Sequence, residues 1–95
     1  LTLHVKSVAA TRPSTLPPLV VMHGLMGSSN NWRRLITRPQ LCASGARTVY
    51  ALDLRNHGDS PHTDSMSFQA MAADVQLFLD EHAIAQAHVL GHSLG

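Results

Sequence analysis

The sequence predicts an α/β fold, a mostly parallel sheet with flanking helices. Two observations carry this expectation. Short apolar segments bounded by turn residues recur at Leu19-Val20-Val21-Met22, at Val49-Tyr50-Ala51-Leu52 and at Ala87, Val89 and Leu90, as strands buried inside a sheet do. Between them lie segments of helical period. Strands and helices that alternate in this way over spans of about 30 residues indicate right-handed crossovers in a parallel sheet covered on both faces.

Leu1 to Val8 alternates apolar Leu1, Leu3 and Val5 with Thr2, His4 and Lys6, the period of a half-buried edge strand. Thr11 to Pro18 follows with Pro13, Pro17 and Pro18, which exclude helix and central strand alike. Leu19 to Met22 is too short for a helix and reads as the first central strand. Trp32, Leu35 and Ile36 stand at helical spacing behind three candidate caps, Ser28, Ser29 and Asn30, so a short helix is expected over 28–37, ended by Pro39. The Ser44-Gly45-Ala46 turn leads into a second buried strand within Arg47 to Leu54, and a polar loop runs from Arg55 to Ser67. Phe68, Met71, Ala72, Val75, Phe78 and Leu79 then share one helical face, with Ser67 placed as cap. Ala87 to Leu90 supplies the next buried strand. Residues 1–95 hold no repeat, low-complexity tract or linker, and read as one domain.

Seven Lys and Arg against six Asp and Glu leave a formal charge of +1. That balance creates no broad field of one sign for nucleic acid or an anionic membrane surface, so a neutral or apolar small molecule is the expected partner. No apolar run approaches the ~20 residues of a membrane span. Cys42, the one cysteine, fits a reducing compartment and a buried hydrophobe. The seven histidines form no H-E-x-x-H and no Cys/His spacing suited to zinc, so neither a metal nor another cofactor is expected.

Gly91-His92-Ser93-Leu94-Gly95 matches G-x-S-x-G, in which a serine stands on a sharp strand-to-helix turn between two glycines. With Gly near 7% of residues and Ser similar, a random window matches about 3 times in 10,000, and here the match also follows a predicted strand. Ser93 is therefore the candidate nucleophile. His23-Gly24-Leu25-Met26-Gly27 follows the first central strand, and Gly24 and Gly27 let the backbone turn N–H groups toward a developing oxyanion. The amide of Leu94, next after the nucleophile, would be a second donor if the two strands are neighbours.

These two motifs, in order with Asp53-Leu54-Arg55-Asn56-His57-Gly58-Asp59-Ser60, resemble the α/β-hydrolase superfamily. The Arg55 to Ser60 run is similar to small bacterial-type esterases and related mitochondrial abhydrolase-domain proteins. The resemblance covers about residues 19–95 and implies the N-terminal half of an α/β-hydrolase fold. It also implies Leu25 and Leu94 as oxyanion-hole amides, Ser93 as the nucleophile, and a catalytic Asp or Glu and His further along the chain. Carboxylic esters or thioesters are the implied substrates, and a cytoplasmic or mitochondrial enzyme the implied setting. Residues 1–95 alone are expected to be inactive and poorly stable.

Other readings compete for some residues. His57 and Asp59 could pair with Ser93, but the family order places both partners later, so the loop reads as architecture held by Asp53 and Arg55, with Gly58 allowing a tight turn. His92 reads as a packing or hydrogen-bonding residue, Trp32 as core ahead of a lining residue of the pocket near the oxyanion loop, and Asp74 and Glu81 as solvated or loop-tethering charges. A dinucleotide-binding domain is a second class, although Met22 stands where the first glycine of G-x-G-x-x-G should be. A non-catalytic hydrolase-like scaffold is a third.

Overall fold

A computed structural model describes residues 1–24 and 26–94. Four strands, β1 (Val5–Val8), β2 (Leu19–Met22), β3 (Val49–Leu52) and β4 (His88–Gly91), form one sheet in the order β1-β3-β2-β4. β3, β2 and β4 run parallel, with Leu19 opposite Val49 on one side and His88 on the other. β1 pairs antiparallel at the edge, Val5 opposite Leu52. Side chains alternate across a strand, which explains the unbroken apolar run of β2. Leu19 and Val21 pack with Val49, Ala51, Ile36 and Cys42 on one face. Val20 packs with Leu52, Leu3 and Phe78 on the other.

The first face is covered by the β2-to-β3 crossover, which departs from the expected helix. Instead of one helix over 28–37, two 3-10 turns form, Ser29–Trp32 and Leu35–Thr37, followed by the four-residue α1 (Pro39–Cys42). Ser28 is the cap: its hydroxyl accepts the Asn30 N–H at 3.2 Å, and its own N–H donates to Asn31 Oδ1 at 2.8 Å. Asn30, Asn31, Ile36 and Thr37 are all weak helix formers, and Pro39 holds Arg38 extended at ψ 138°. Pro39 thus starts a turn as well as ending one.

The second face is covered by α2 (Phe68–Glu81), with the Ser67 hydroxyl accepting the Ala70 N–H at 3.0 Å as the sequence predicts. Phe78 is its buried anchor and meets Tyr50 of β3 edge to face at 5.2 Å.

Two strand expectations need correction. The regular ladder of β1 starts at Val5 instead of Leu1, although Leu3 is buried and the Asp53 N–H still donates to the His4 carbonyl at 2.9 Å. β4 was expected to be buried, yet all four of its residues are exposed, Val89 by 60%. It is the outer strand of the parallel set, and among the described residues nothing pairs with its far side.

Candidate active site

The order of the sheet brings the two glycine-containing motifs together. β2 and β4 are neighbours in parallel, Met22 opposite Gly91, so both chains leave the sheet at the same end. That carboxyl end is where open α/β sheets collect ligands. The His92 N–H still donates to the Met22 carbonyl at 3.2 Å, and the next residue breaks the strand geometry. Ser93 has φ +60°, a left-handed conformation that disfavours any residue with a Cβ. Ser93 is exposed on this turn.

Gly24 is the surface against which Ser93 packs. A Cβ on Gly24 would lie 3.0 Å from Ser93 Cβ and 3.2 Å from the His92 carbonyl oxygen, so a side chain at 24 would crowd both by a few tenths of an ångström. Gly27 closes the turn by donating its N–H to the Gly24 carbonyl at 3.0 Å, and a Cβ there would strike Asn31 Oδ1. Between them Met26 has φ +66° and is 90% exposed. Ser93, His92, Gly24, Met26 and Trp32 line one cleft of about 520 Å³. Trp32 both packs on the core, as expected, and borders this cleft.

His23, immediately before Gly24, is 1% exposed and bridges two segments. Its Nε2 accepts the Leu54 N–H at 3.0 Å, and its Nδ1 stands 2.7 Å from the Gly24 carbonyl oxygen. Only the neutral ring with its proton on Nδ1 satisfies both contacts. Burial holds the imidazole below its ordinary 6.5; the Gly24 carbonyl and Asp53 oppose that effect and His57 adds to it. In the sequence His23 stands only as part of a motif, because its contact with Leu54 reaches across 31 residues.

The loop from Arg55 to Ser60 is tied down by hydrogen bonds to Asp53 and by an ion pair from Arg55. Asp53 is buried, and its two oxygens accept the Ser29 N–H at 2.6 Å and the Asp59 N–H at 3.0 Å. Burial alone would raise its pKa, but these hydrogen bonds and His4 outweigh it and hold the carboxyl below the usual range. Gly58, at φ +51°, leaves no room for a Cβ, which would lie 2.5 Å from the Asp53 carboxylate. Arg55 grips Asp74 through two parallel bonds of 2.6 and 2.8 Å, and its hydrogen bonds and charge hold the Asp74 carboxyl low. Asp74 is thus a buried tether, not a solvated charge. His57 turns its Nδ1 to the Arg55 carbonyl at 2.8 Å. Among the described residues no imidazole is hydrogen-bonded to the Ser93 hydroxyl.

The structure therefore brings Gly24, Gly27, Gly91 and Ser93 to one place. Leu94 follows on the turn, and its side chain lines an apolar groove of about 420 Å³ shared with Met22, Leu54 and α2. Leu25 and Gly95, named with them, lie outside the described residues. A separate group, His4, Asp53 and Asp59, places three potential ligand atoms within 4.8 Å of one another. Both Asp53 oxygens there already accept backbone N–H groups.

Known proteins resemble this chain in sequence and in fold. The family profile described as alpha/beta hydrolase fold matches residues 17–95. An sn-1-specific diacylglycerol lipase ABHD11 of Xenopus laevis is 47% identical over 79 residues, covering 83% of this chain and 25% of that protein. A probable alcohol acetyltransferase of Saccharomyces cerevisiae is 40% identical over 82 residues, 83% of this chain and 23% of that one. Among solved structures, a marine microorganism esterase superposes with a TM-score of 0.85 at 34% identity, over 100% of this chain and 33% of its own. The chain spans about a quarter of the length of the curated relatives it matches.

Proposed function

The chain belongs to the α/β-hydrolase family, and on that premise we propose that it is the N-terminal piece of one hydrolase domain whose full-length protein cleaves carboxylic esters or thioesters through an acyl-enzyme on Ser93. One observation carries the reading: a serine held at φ +60° at the carboxyl end of a parallel strand, with Gly24, just past the end of the neighbouring strand, packed against it. Such a turn lifts the hydroxyl out of the sheet, where a substrate carbonyl can reach it.

In the proposed reaction Ser93 Oγ forms a bond to the acyl carbon as its proton passes to a general base. The carbonyl oxygen takes up the negative charge, held by the Leu25 and Leu94 amides. Collapse expels the alcohol or thiol, which receives the proton, and leaves the acyl group on Ser93. Water, activated by the same base, then releases the acid. The base is a histidine, oriented by a carboxylate, both supplied from beyond residue 95; His57 and His92 do not take that part, since neither hydrogen-bonds Ser93. An alcohol can replace water in the second step. The relatives named as acetyltransferases favour testing that outcome.

In the full-length protein Ser93→Ala should abolish turnover of p-nitrophenyl acetate while leaving the circular dichroism unchanged. The wild type should show a burst of nitrophenol equal to the enzyme concentration whenever deacylation is slow. Unchanged turnover in the variant would refute the reading. Added ethanol, with the ratio of ethyl ester to acid measured, separates hydrolysis from acyl transfer.

A further inference from the structure

The near-balanced charge of the chain hides how that charge is distributed. Lys6, Arg12, Arg33, Arg34, Arg38 and Arg47 all precede the first carboxylate, Asp53, and every other Asp and Glu lies beyond it, joined by Arg55 alone. The fold turns this asymmetry along the chain into one between faces. Arg33, Arg34 and Arg38 stand exposed on the crossover that covers the first face. β1, which packs beside the Leu35–Thr37 turn, adds Lys6 on the same side, opposite Ala51. Asp80 and Glu81 end α2 on the other face. Among the described residues none of these four cations is in an ion pair. Asp53, the carboxylate that bonds the crossover, is buried and already accepts the Ser29 and Asp59 amides.

We propose that this cationic band docks the full-length protein on an anionic lipid surface, with the mouth of the Ser93 cleft turned toward the lipid; the inference rests on the reading of Ser93 as the nucleophile. Each cation close to such a surface strengthens binding about fivefold. The choice of lipid over another polyanion comes from what lies between the arginines and the cleft. Trp32 and Leu35, on either side of Arg33-Arg34, both line the cleft, as does Met26. Met26 is 90% exposed and Leu35 44%. Aliphatic side chains beside guanidinium groups suit a headgroup layer, where phosphates meet the cations and the acyl region receives the apolar atoms. A nucleic acid or acidic peptide would engage the arginines and leave Met26 and Leu35 in water. Trp32 is packed against the core rather than displayed for bases to stack on. The substrate class is thus an ester that partitions into a bilayer and reaches Ser93 from the surface on which the enzyme sits.

Flotation of the full-length protein with vesicles of phosphatidylcholine, alone or with about a third phosphatidylserine, tests the docking. The protein should float with the anionic vesicles only. Arg33→Gln/Arg34→Gln should weaken that binding roughly 30-fold, about fivefold for each cation. Gln69→Glu/Gln86→Glu makes the same net change in charge from α2 and the exposed turn after it, and should weaken binding far less. Both variants should turn over p-nitrophenyl acetate in solution as the wild type does. Turnover of a long-chain p-nitrophenyl ester held in the vesicles should rise with the phosphatidylserine fraction in the wild type and not in the arginine variant.

Equal binding to neutral vesicles, or equal loss in the two variants, overturns the proposal and leaves the Ser93 reading standing. So does binding to duplex DNA or polyglutamate by a protein that ignores anionic vesicles. A wild type that turns over neither ester removes the Ser93 reading, and the proposal with it. Should the arginine variant lose its turnover in solution, the wild type decides: vesicle binding that persists in about 1 M salt overturns the proposal, and binding lost there supports it.

Discussion

Adding one methyl group at residue 24 is the sharpest perturbation of the site that leaves its chemistry untouched. The Cβ of Gly24→Ala would stand 3.0 Å from Ser93 Cβ, 3.2 Å from the His92 carbonyl oxygen and 3.4 Å from His92 Nδ1. A Cβ contact this short is rare, so the neighbouring Ser93 must give by a few tenths of an ångström. Rotation cannot relieve it, because a Cβ position is set by the backbone, and the His92 carbonyl blocks movement on the adjacent side. Ser93 and Gly24 must therefore separate. On the proposed mechanism a displacement of that size at the nucleophile should lower turnover about 10-fold, or about 1.4 kcal/mol in the barrier. Overpacking of this kind destabilises the fold by roughly 1–3 kcal/mol. Steady-state kinetics on p-nitrophenyl acetate and urea unfolding of the full-length Gly24→Ala protein measure the two effects separately. Wild-type kcat/KM in a folded variant would refute the close approach on which the account of the site depends.

Gly58→Ala should destabilise the protein by roughly 2–5 kcal/mol, through left-handed backbone strain and contact with the Asp53 carboxylate; an unchanged urea midpoint would contradict the loop geometry. Stability should also fall with acid in two stages. Unfolded, the His23 imidazole takes up a proton near 6.5, whereas the folded ring, its pKa lowered mainly by burial, resists protonation to lower pH. The stability due to the neutral ring is thus present above 6.5 and is lost as pH falls toward the folded value. Asp53 and Asp74, both held below 3.8 when folded, add stability that is present above that value and lost as pH drops through their folded values. Urea midpoints between pH 7 and 5 should decline less steeply in His23→Gln than in the wild type, and equal slopes would remove His23 as the source.

The parallel sheet was legible because β2 and β3 carry apolar side chains on both faces, and α2 because six of its apolar residues and the Ser67 cap agree in phase. Spacing alone places Trp32, Leu35 and Ile36 on one helical face, while the poor helix propensity of Asn30, Asn31, Ile36 and Thr37 together with Pro39 leaves only short turns. Exposure of β4 follows from its place in the strand order, which apolar composition does not encode. At the site, the G-x-S-x-G spacing located Ser93 and its strained turn. The contacts of His23 with Leu54, of Asp74 with Arg55 and of Gly24 with Ser93 join residues far apart in the chain, the nearest pair by 19 positions, and only the folded chain brings them together.

The central claim is that Ser93 is an activated nucleophile. Its most direct test is to treat the full-length protein with a fluorophosphonate and locate the adduct by mass spectrometry of the digested protein. The adduct should fall on Ser93, at one per molecule, and disappear in Ser93→Ala. A protein that takes no label, or takes it on another serine with Ser93 unmodified, would contradict the claim.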